Sequence, residues 1–105
     1  MKRLLCVLPF LAAMLCAQQR GTISGAVTDP SGSPIPKATV TLTETQTGVK
    51  TTATSENSGA YNMPFLPAGQ YSISAEAPGF KKFVQQGIVL SAGEHPVIDI
   101  HMVLG

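Results

Sequence analysis

Apolar and polar residues alternate along most of the chain after residue 20, and a period of two is typical of half-buried β-strands. The clearest alternation runs from Gln70 to Glu76, where Tyr71, Ile73 and Ala75 occupy every second position. Six further stretches are interpreted as strands, at residues 22–28, 38–43, 49–54, 61–65, 81–90 and 97–104. Beyond the first 17 residues, no stretch places apolar residues at the spacing i, i+3, i+4, i+7, so we expect no helix there.

The alternation also predicts which side chains form the core. Within the stretch 61–65, we expect Tyr61, Met63 and Phe65 to face inward. In the last stretch the even-numbered residues are expected to face inward, and these are Ile98, Ile100, Met102 and Leu104.

Turn residues separate the predicted strands at intervals of roughly eight to twelve residues. The turn signals lie at residues 29–36, 45–48, 55–59, 66–69, 77–80 and 91–94. Gly59 and Gly69 stand where tight turns often need a positive φ, and Gly25 lacks a side chain where a neighbouring strand is expected to approach closely. Seven short strands without crossover helices predict an all-β fold, an antiparallel sandwich of two sheets.

The first 17 residues follow a different pattern. Lys2 and Arg3 form a basic start, residues 4–15 form an apolar run, and Ala17 offers a small residue before the chain turns polar. This order predicts a secretory signal peptide at residues 1–17, cleaved after Ala17. The run is shorter than the about 20 apolar residues that a membrane-spanning helix needs.

Export has consequences for the rest of the chain. The mature domain would comprise residues 18–105 and would lie in the periplasm, the outer membrane or the extracellular space. Lipidation of Cys16 is an alternative, although the residues before it are larger than those that usually precede a lipidated cysteine. Both cysteines, Cys6 and Cys16, would leave with the signal peptide, so we expect no disulfide partner and no thiol ligand.

The charge of the chain argues against one class of partner. Seven basic and six acidic residues give a net charge of +1, and the loss of Lys2 and Arg3 would bring the mature domain to −1. A near-neutral domain with scattered lysines lacks the basic patch of a nucleic-acid binder, so we expect no nucleic-acid partner. Lys81 and Lys82, an adjacent basic pair, are interpreted as a solvated strand start.

The groups that could carry catalysis are few and dispersed. His95 lies in a predicted turn and His101 on the last predicted strand, and neither belongs to an HExxH zinc motif. No serine lies in a Gly-x-Ser-x-Gly motif, and no glycine-rich loop opens a helix. We therefore expect a protein that is not an enzyme, with no catalytic residue, no metal ion and no cofactor.

Several short segments, in their order and spacing, resemble the carboxypeptidase regulatory-like domain. These segments lie at residues 25–29, 34–40, 59–63, 66–73 and 77–80. The resemblance covers about residues 21–104 and implies a transthyretin-like, or prealbumin-like, Greek-key sandwich, which is also classed with carbohydrate-binding-like folds. The residues that carry the resemblance are interpreted as builders of the fold, with Tyr71 and Phe80 as large apolar anchors of its core.

The resemblance also implies contexts in which such a domain works. One is the segment between the signal peptide and the plug and barrel of a TonB-dependent outer-membrane receptor, and another is an appendage of zinc carboxypeptidases that itself carries no catalytic zinc. We therefore expect a non-catalytic accessory or interaction domain of a cell-envelope protein, with a downstream membrane barrel or an envelope protein as its partner. A carbohydrate-binding module of the same fold is the alternative, and an accessory piece of a zinc peptidase ranks third.

The alternative function directs attention to aromatic side chains, because sugar sites on sandwiches use exposed aromatic rings beside amides. Tyr61, Asn62 and Phe83 are the candidate residues for binding carbohydrate or a protein partner. Core packing is the preferred interpretation of the aromatic residues, because most of them alternate with inward aliphatic residues. The chain also has no tryptophan, the residue that sugar-binding platforms use most.

Overall fold

The computed structural model describes residues 20–105, and the regular elements of that part are all β-strands. They are β1 (Gly21–Thr28), β2 (Thr39–Glu44), β3 (Lys50–Thr54), β4 (Ala60–Leu66), β5 (Gly69–Glu76), β6 (Phe83–Leu90) and β7 (Ile100–His101). A three-stranded sheet has the order β4-β1-β7, and a four-stranded sheet has the order β3-β2-β5-β6. The predicted all-β fold of two sheets is therefore confirmed. The predicted signal peptide, residues 1–17, lies outside the described residues.

The core lies between the two sheets, where the inward side chains of both meet. In β5 the burial alternates as predicted, with Tyr71, Ile73 and Ala75 buried between the exposed Gln70 and Glu76. The other large side chains that the fold buries almost completely are Ile23, Val27, Val40, Leu42, Met63, Leu90, Ile100 and Met102. Between residues 20 and 105, the structure holds no helix that is long and apolar enough to cross a membrane.

The last strand runs parallel to β1, so the prediction of a wholly antiparallel sandwich is wrong for this pair. Val27 lies opposite Ile100 in the parallel register. The chain returns from β6 beside the start of β1, where the N–H of Thr22 donates to the carbonyl of Glu94 at 2.9 Å. A segment that enters beside the start of β1 has to run in the direction of β1. The pairs β1–β4, β2–β3, β2–β5 and β5–β6 are antiparallel, as predicted.

β7 is shorter than the strand predicted at residues 97–104. The side chain of Asp99 takes a place in the pairing with β1, because its Oδ1 accepts the N–H of Ala26 at 3.1 Å. Next to this contact the pairing with β1 is again between main-chain groups, because the N–H of Ile98 donates to the carbonyl of Ser24 at 2.7 Å. The alternation of apolar and polar residues could not predict this, because it does not show where a side chain, here that of Asp99, accepts a hydrogen bond in place of a backbone carbonyl.

The predicted burial of the last segment is correct for its middle and wrong for its end. Ile100 and Met102 are buried, and Ile98 packs partly buried against the core. Leu104 is 63% exposed, so its predicted inward position is wrong. It forms an isolated antiparallel bridge with Phe80, which lies in the loop between β5 and β6.

Phe65 also faces outward, which corrects a predicted core position. Between the pairs Gly21–Leu66 and Ile23–Met63, β4 carries two residues where β1 carries one. A bulge of this kind shifts the alternation by one residue. Phe65 adopts a φ of 60° and is 80% exposed, and Leu66 takes the inward position at 4% exposure.

The three glycines singled out in the sequence have different roles. A Cβ at Gly25 would overlap the carbonyl oxygen of Ile98 and stand 2.6 Å from its carbonyl carbon, so the predicted close approach is confirmed. Gly59 has the predicted positive φ, at 82°. Gly69 begins β5 without a positive φ, and that expectation was wrong.

Candidate functional site

Clefts open at two sides of the sandwich. Each lies beside one edge strand from each of the two sheets. The first, which we call the tyrosine cleft, has a volume of about 160 Å³ and lies beside β3 and β4. The second, the lysine cleft, has a volume of about 280 Å³ and lies beside the start of β6 and the end of β7. The residues of the tyrosine cleft are Ala53, Thr54, Glu56, Ala60, Tyr61 and Asn62. The residues of the lysine cleft are Lys81, Lys82, Phe83, His101 and Val103.

Tyr61 joins the tyrosine cleft to the core and to the last segment of the chain. Its side chain is 3% exposed, and its hydroxyl donates a hydrogen bond to the carbonyl of Ile98. Burial, and secondarily the charge of Asp99, raises the pKa of Tyr61 to about 12. A ring held in this way packs the core and presents no free face to a sugar. Asn62, the next residue, is exposed at the rim.

The raised pKa of Tyr61 predicts a loss of stability in alkali. An unfolded tyrosine has a pKa of about 10, so between pH 10 and 12 the folded chain keeps a proton that the unfolded chain releases. The stability that this group contributes is therefore complete below pH 10 and is lost as the pH rises through 12. We expect the wild type to lose about 2 kcal/mol more of its free energy of unfolding than Tyr61→Phe over this range.

Urea denaturation at pH 8 to 12 measures this difference. The chain has two tyrosines, so Tyr71→Phe leaves Tyr61 as the single phenol whose ionisation can be followed by absorbance. The prediction is contradicted if that phenol ionises near pH 10 while the protein is still folded.

The lysine cleft takes its name from the two adjacent lysines that line it. Lys81 is anchored by its main chain, because its N–H donates to the carbonyl of Val103 at 2.7 Å. Nζ of Lys82 lies 3.7 Å from a carboxylate oxygen of Glu76, and both side chains are exposed. On the other wall, Nδ1 of His101 lies 2.9 Å from the hydroxyl of Thr28. The residues that line the site thus combine two lysines and a histidine with the apolar Phe83 and Val103.

The structure separates the three binding residues predicted from the sequence. Tyr61 and Asn62 line the tyrosine cleft, whereas Phe83 lines the lysine cleft. Phe83 is half-buried and packs against the core. Because β4 and β6 end different sheets at different sides of the sandwich, these residues do not form one site.

Sequence reasoning did not predict the lysine cleft as a whole. The interpretation of Lys81 and Lys82 as a solvated strand start is correct, because both are exposed and β6 begins at Phe83. What the sequence did not predict is that His101 lines the same cleft. His101, 19 residues after Lys82 in the chain, reaches this cleft because β7 pairs in parallel with β1. The sequence pattern carries no signal for this contact, since Phe80–Leu104 and Lys81–Val103 are long-range backbone pairings.

A second feature of this side of the molecule is its exposed apolar side chains. On the edge strand β6, Val84 and Val89 are 54% and 64% exposed. On the last segment, the side chains of Val97, Val103 and Leu104 are also largely exposed. Within residues 20–105, no group of three or more His, Cys, Asp or Glu side chains is placed to hold a metal ion.

Comparison with known proteins identifies relatives of this fold. The family model described as carboxypeptidase regulatory-like domain matches residues 22–103. No curated protein matches the sequence. The chain is similar to a solved structure described as a putative carbohydrate binding protein from Bacteroides uniformis, with 20% identity and a TM-score of 0.66 over 81% of this chain and 42% of that one.

Two further structures share the fold. The Bacillus anthracis TIE protein has 18% identity and a TM-score of 0.69, over 82% of this chain and 17% of that one. The 5-hydroxyisourate hydrolase of Klebsiella pneumoniae has 24% identity and a TM-score of 0.64, over 81% of this chain and 91% of that one. This chain thus spans less than half the length of the first two proteins. At these identities the likeness establishes the transthyretin-like fold.

Proposed function

Because the chain belongs to the carboxypeptidase regulatory-like domain family, we propose that it works as a non-catalytic accessory domain that docks onto a cell-envelope protein. In this proposal the signal peptide at residues 1–17 exports the domain to the periplasm, the outer membrane or the extracellular space. The partner that we favour is the plug and barrel of a TonB-dependent receptor.

The exposed apolar side chains along β6 carry the proposal. Val84 and Val89 project outward from a strand that ends its sheet, and a free strand edge can accept a strand from a partner. β6 itself has a bulge at Gln86 and Gly87, between the pairs Tyr71–Ile88 and Ile73–Gln85, and Val84 and Val89 lie on the paired stretches either side of it. The other long edges of the described sheets also contain features that discourage pairing. Lys50 begins β3, and Pro64 lies within β4 next to its bulge.

The side chains of the two clefts support a non-catalytic role. Neither cleft contains a serine or cysteine that could act as a nucleophile. His101 of the lysine cleft bonds to the hydroxyl of Thr28 and not to a carboxylate, so the arrangement lacks the orienting acid of a catalytic triad. The clefts are therefore better suited to binding than to bond cleavage.

A photo-cross-linking experiment tests docking through β6. The photoreactive residue p-benzoylphenylalanine is placed at Val89 in the native organism, where we expect irradiation to join the domain to one envelope protein. The matched control places it at Thr52, an exposed residue of the edge strand β3. Mass spectrometry of the adduct identifies the partner.

The outcomes at the two positions decide the proposal. An adduct from Val89 to a barrel or envelope protein, with none from Thr52, supports docking through β6. Equal adducts from both positions, or none from either, contradict it.

Carbohydrate binding is the second candidate function, and the lysine cleft favours it. Phe83 places an aromatic side chain beside polar groups in a concave site, which is the composition that sugar sites use. Binding of glycans by the purified protein tests this candidate independently of the cross-linking experiment.

A further inference from the structure

We propose that the lysine cleft binds a small carboxylated sugar, a uronic acid at the end of a glycan, with its carboxylate between the lysines and its ring against the apolar wall. The inference deepens the carbohydrate-binding candidate above and rests on it. It assigns a ligand class to a site that the sequence pattern did not reveal.

The charge of the cleft selects for an anion. Lys81 and Lys82 line one concave site, and His101 adds a hydrogen-bonding ring to it. Two of the five Lys and Arg side chains among residues 20–105 line this one cleft. Among residues 20–105, Lys81 belongs to no ion pair, so its ammonium group is available to a ligand.

The remaining lysine can exchange its partner. Lys82 lies 3.7 Å from Glu76, and the two side chains are 59% and 63% exposed. Exposed pairs of this kind contribute about 0–1 kcal/mol, because water screens them and two long side chains lose freedom. A carboxylate held by Lys81 can therefore draw Lys82 away from Glu76 at little cost.

The apolar wall selects for more than a simple anion. Phe83 and Val103 supply this wall, and a fully hydrated inorganic ion gains nothing from contact with it. A uronic acid carries a carboxylate and, on the same ring, a face of C–H groups that can lie against an aromatic side chain. The two kinds of surface in the cleft thus match the two parts of one ligand.

Size and backbone pairing favour a sugar over a peptide. At about 280 Å³ the cleft lies just below the ~300–1,000 Å³ of ordinary small-molecule sites, which suits one or two sugar rings. The N–H of Lys81 is bonded to Val103, and the N–H of Gly105 to Gly79 at 3.0 Å. These groups are therefore not open to an added peptide strand, and recognition here falls to side chains.

Titration of the isotope-labelled protein, followed by amide NMR, tests the inference. Trigalacturonic acid is the probe, and neutral galactotriose is its uncharged counterpart. We expect trigalacturonic acid to shift the amides of residues 81–83 and 101–103, with an affinity at least fivefold higher than that of galactotriose. Lys81→Gln should lower this affinity at least fivefold. Lys50→Gln, at the exposed start of β3, is the matched control and should leave it unchanged.

Each contrary result has a distinct meaning. Equal binding of both trisaccharides would keep the carbohydrate-binding function and overturn the assignment to a carboxylated sugar. The absence of binding by either would overturn both. Equal weakening by Lys81→Gln and Lys50→Gln would reveal diffuse attraction and overturn the site. Tighter binding of phosphate or of an acidic peptide would overturn the choice of a sugar.

Discussion

Replacement of Gly25 by alanine is expected to destabilise the protein by about 3 kcal/mol or more, the upper end of what overpacking costs. The added Cβ would overlap the carbonyl oxygen of Ile98 and stand 3.0 Å from a ring carbon of Tyr61. A backbone carbonyl cannot rotate aside as a flexible side chain can. Relief would therefore require the last segment to move away from β1, and the hydrogen bond from Ile98 to Ser24 would break.

Thermal and urea denaturation measure this effect, and Gly69→Ala is the matched control. Both glycines lie in strands without a positive φ, but a Cβ at Gly69 would meet only the carboxylate end of Glu44, at 2.9 Å. That side chain is flexible, so the control should change stability by less than about 1 kcal/mol, with some gain because alanine restricts the unfolded chain. A Gly25→Ala protein as stable as Gly69→Ala would show that the last segment is not packed as described.

Replacement of Ile100 by alanine is the second large effect, with an expected loss of about 2–5 kcal/mol. Ile100 is 0% exposed and belongs to β7, a strand of two residues. A strand of this length forms few backbone hydrogen bonds. The burial of Ile100 and Met102 therefore holds the last segment against the core. For a domain of this size, the melting temperature should fall by at least about 8 °C.

Val97→Ala provides the control for Ile100→Ala, because Val97 is in the same segment but is 69% exposed. It should change the free energy of unfolding by no more than about 0.5 kcal/mol. The two variants also bear on the lysine cleft, since His101 and Val103 lie one and three residues after Ile100. We expect Ile100→Ala to broaden the amide signals of residues 101–103 below its melting temperature. Equal stability of the two variants would contradict the role assigned to β7.

The burial of Tyr61 illustrates both the strength and the limit of the sequence pattern. Its alternation with Met63 correctly predicts an inward side chain. The pattern does not predict that its hydroxyl bonds to Ile98, because that contact joins β4 to a segment 37 residues away across β1. Its inclusion among the sugar-binding candidates therefore overlooked the partner that keeps it in the core.

The errors of the prediction have a common physical origin. Phe65 and Leu104 follow the period of two in the sequence, but a bulge and an isolated bridge carry them to the surface. A bulge depends on the register between two strands, and an isolated bridge depends on the path of a distant loop. Neither property is local, whereas the alternation of residues is.

The alternation of apolar and polar residues was enough to establish an all-β sandwich of two sheets and most of its core, because each strand buries one face whatever its neighbour is. Only the tertiary structure decided the direction of β7, the pairing of Ile100 with Val27, and the meeting of Lys81 and Lys82 with His101. Those contacts join the last residues of the chain to β1 and to the start of β6. These contacts depend on the point at which the chain crosses from one sheet to the other. A local pattern of residues does not predict that point.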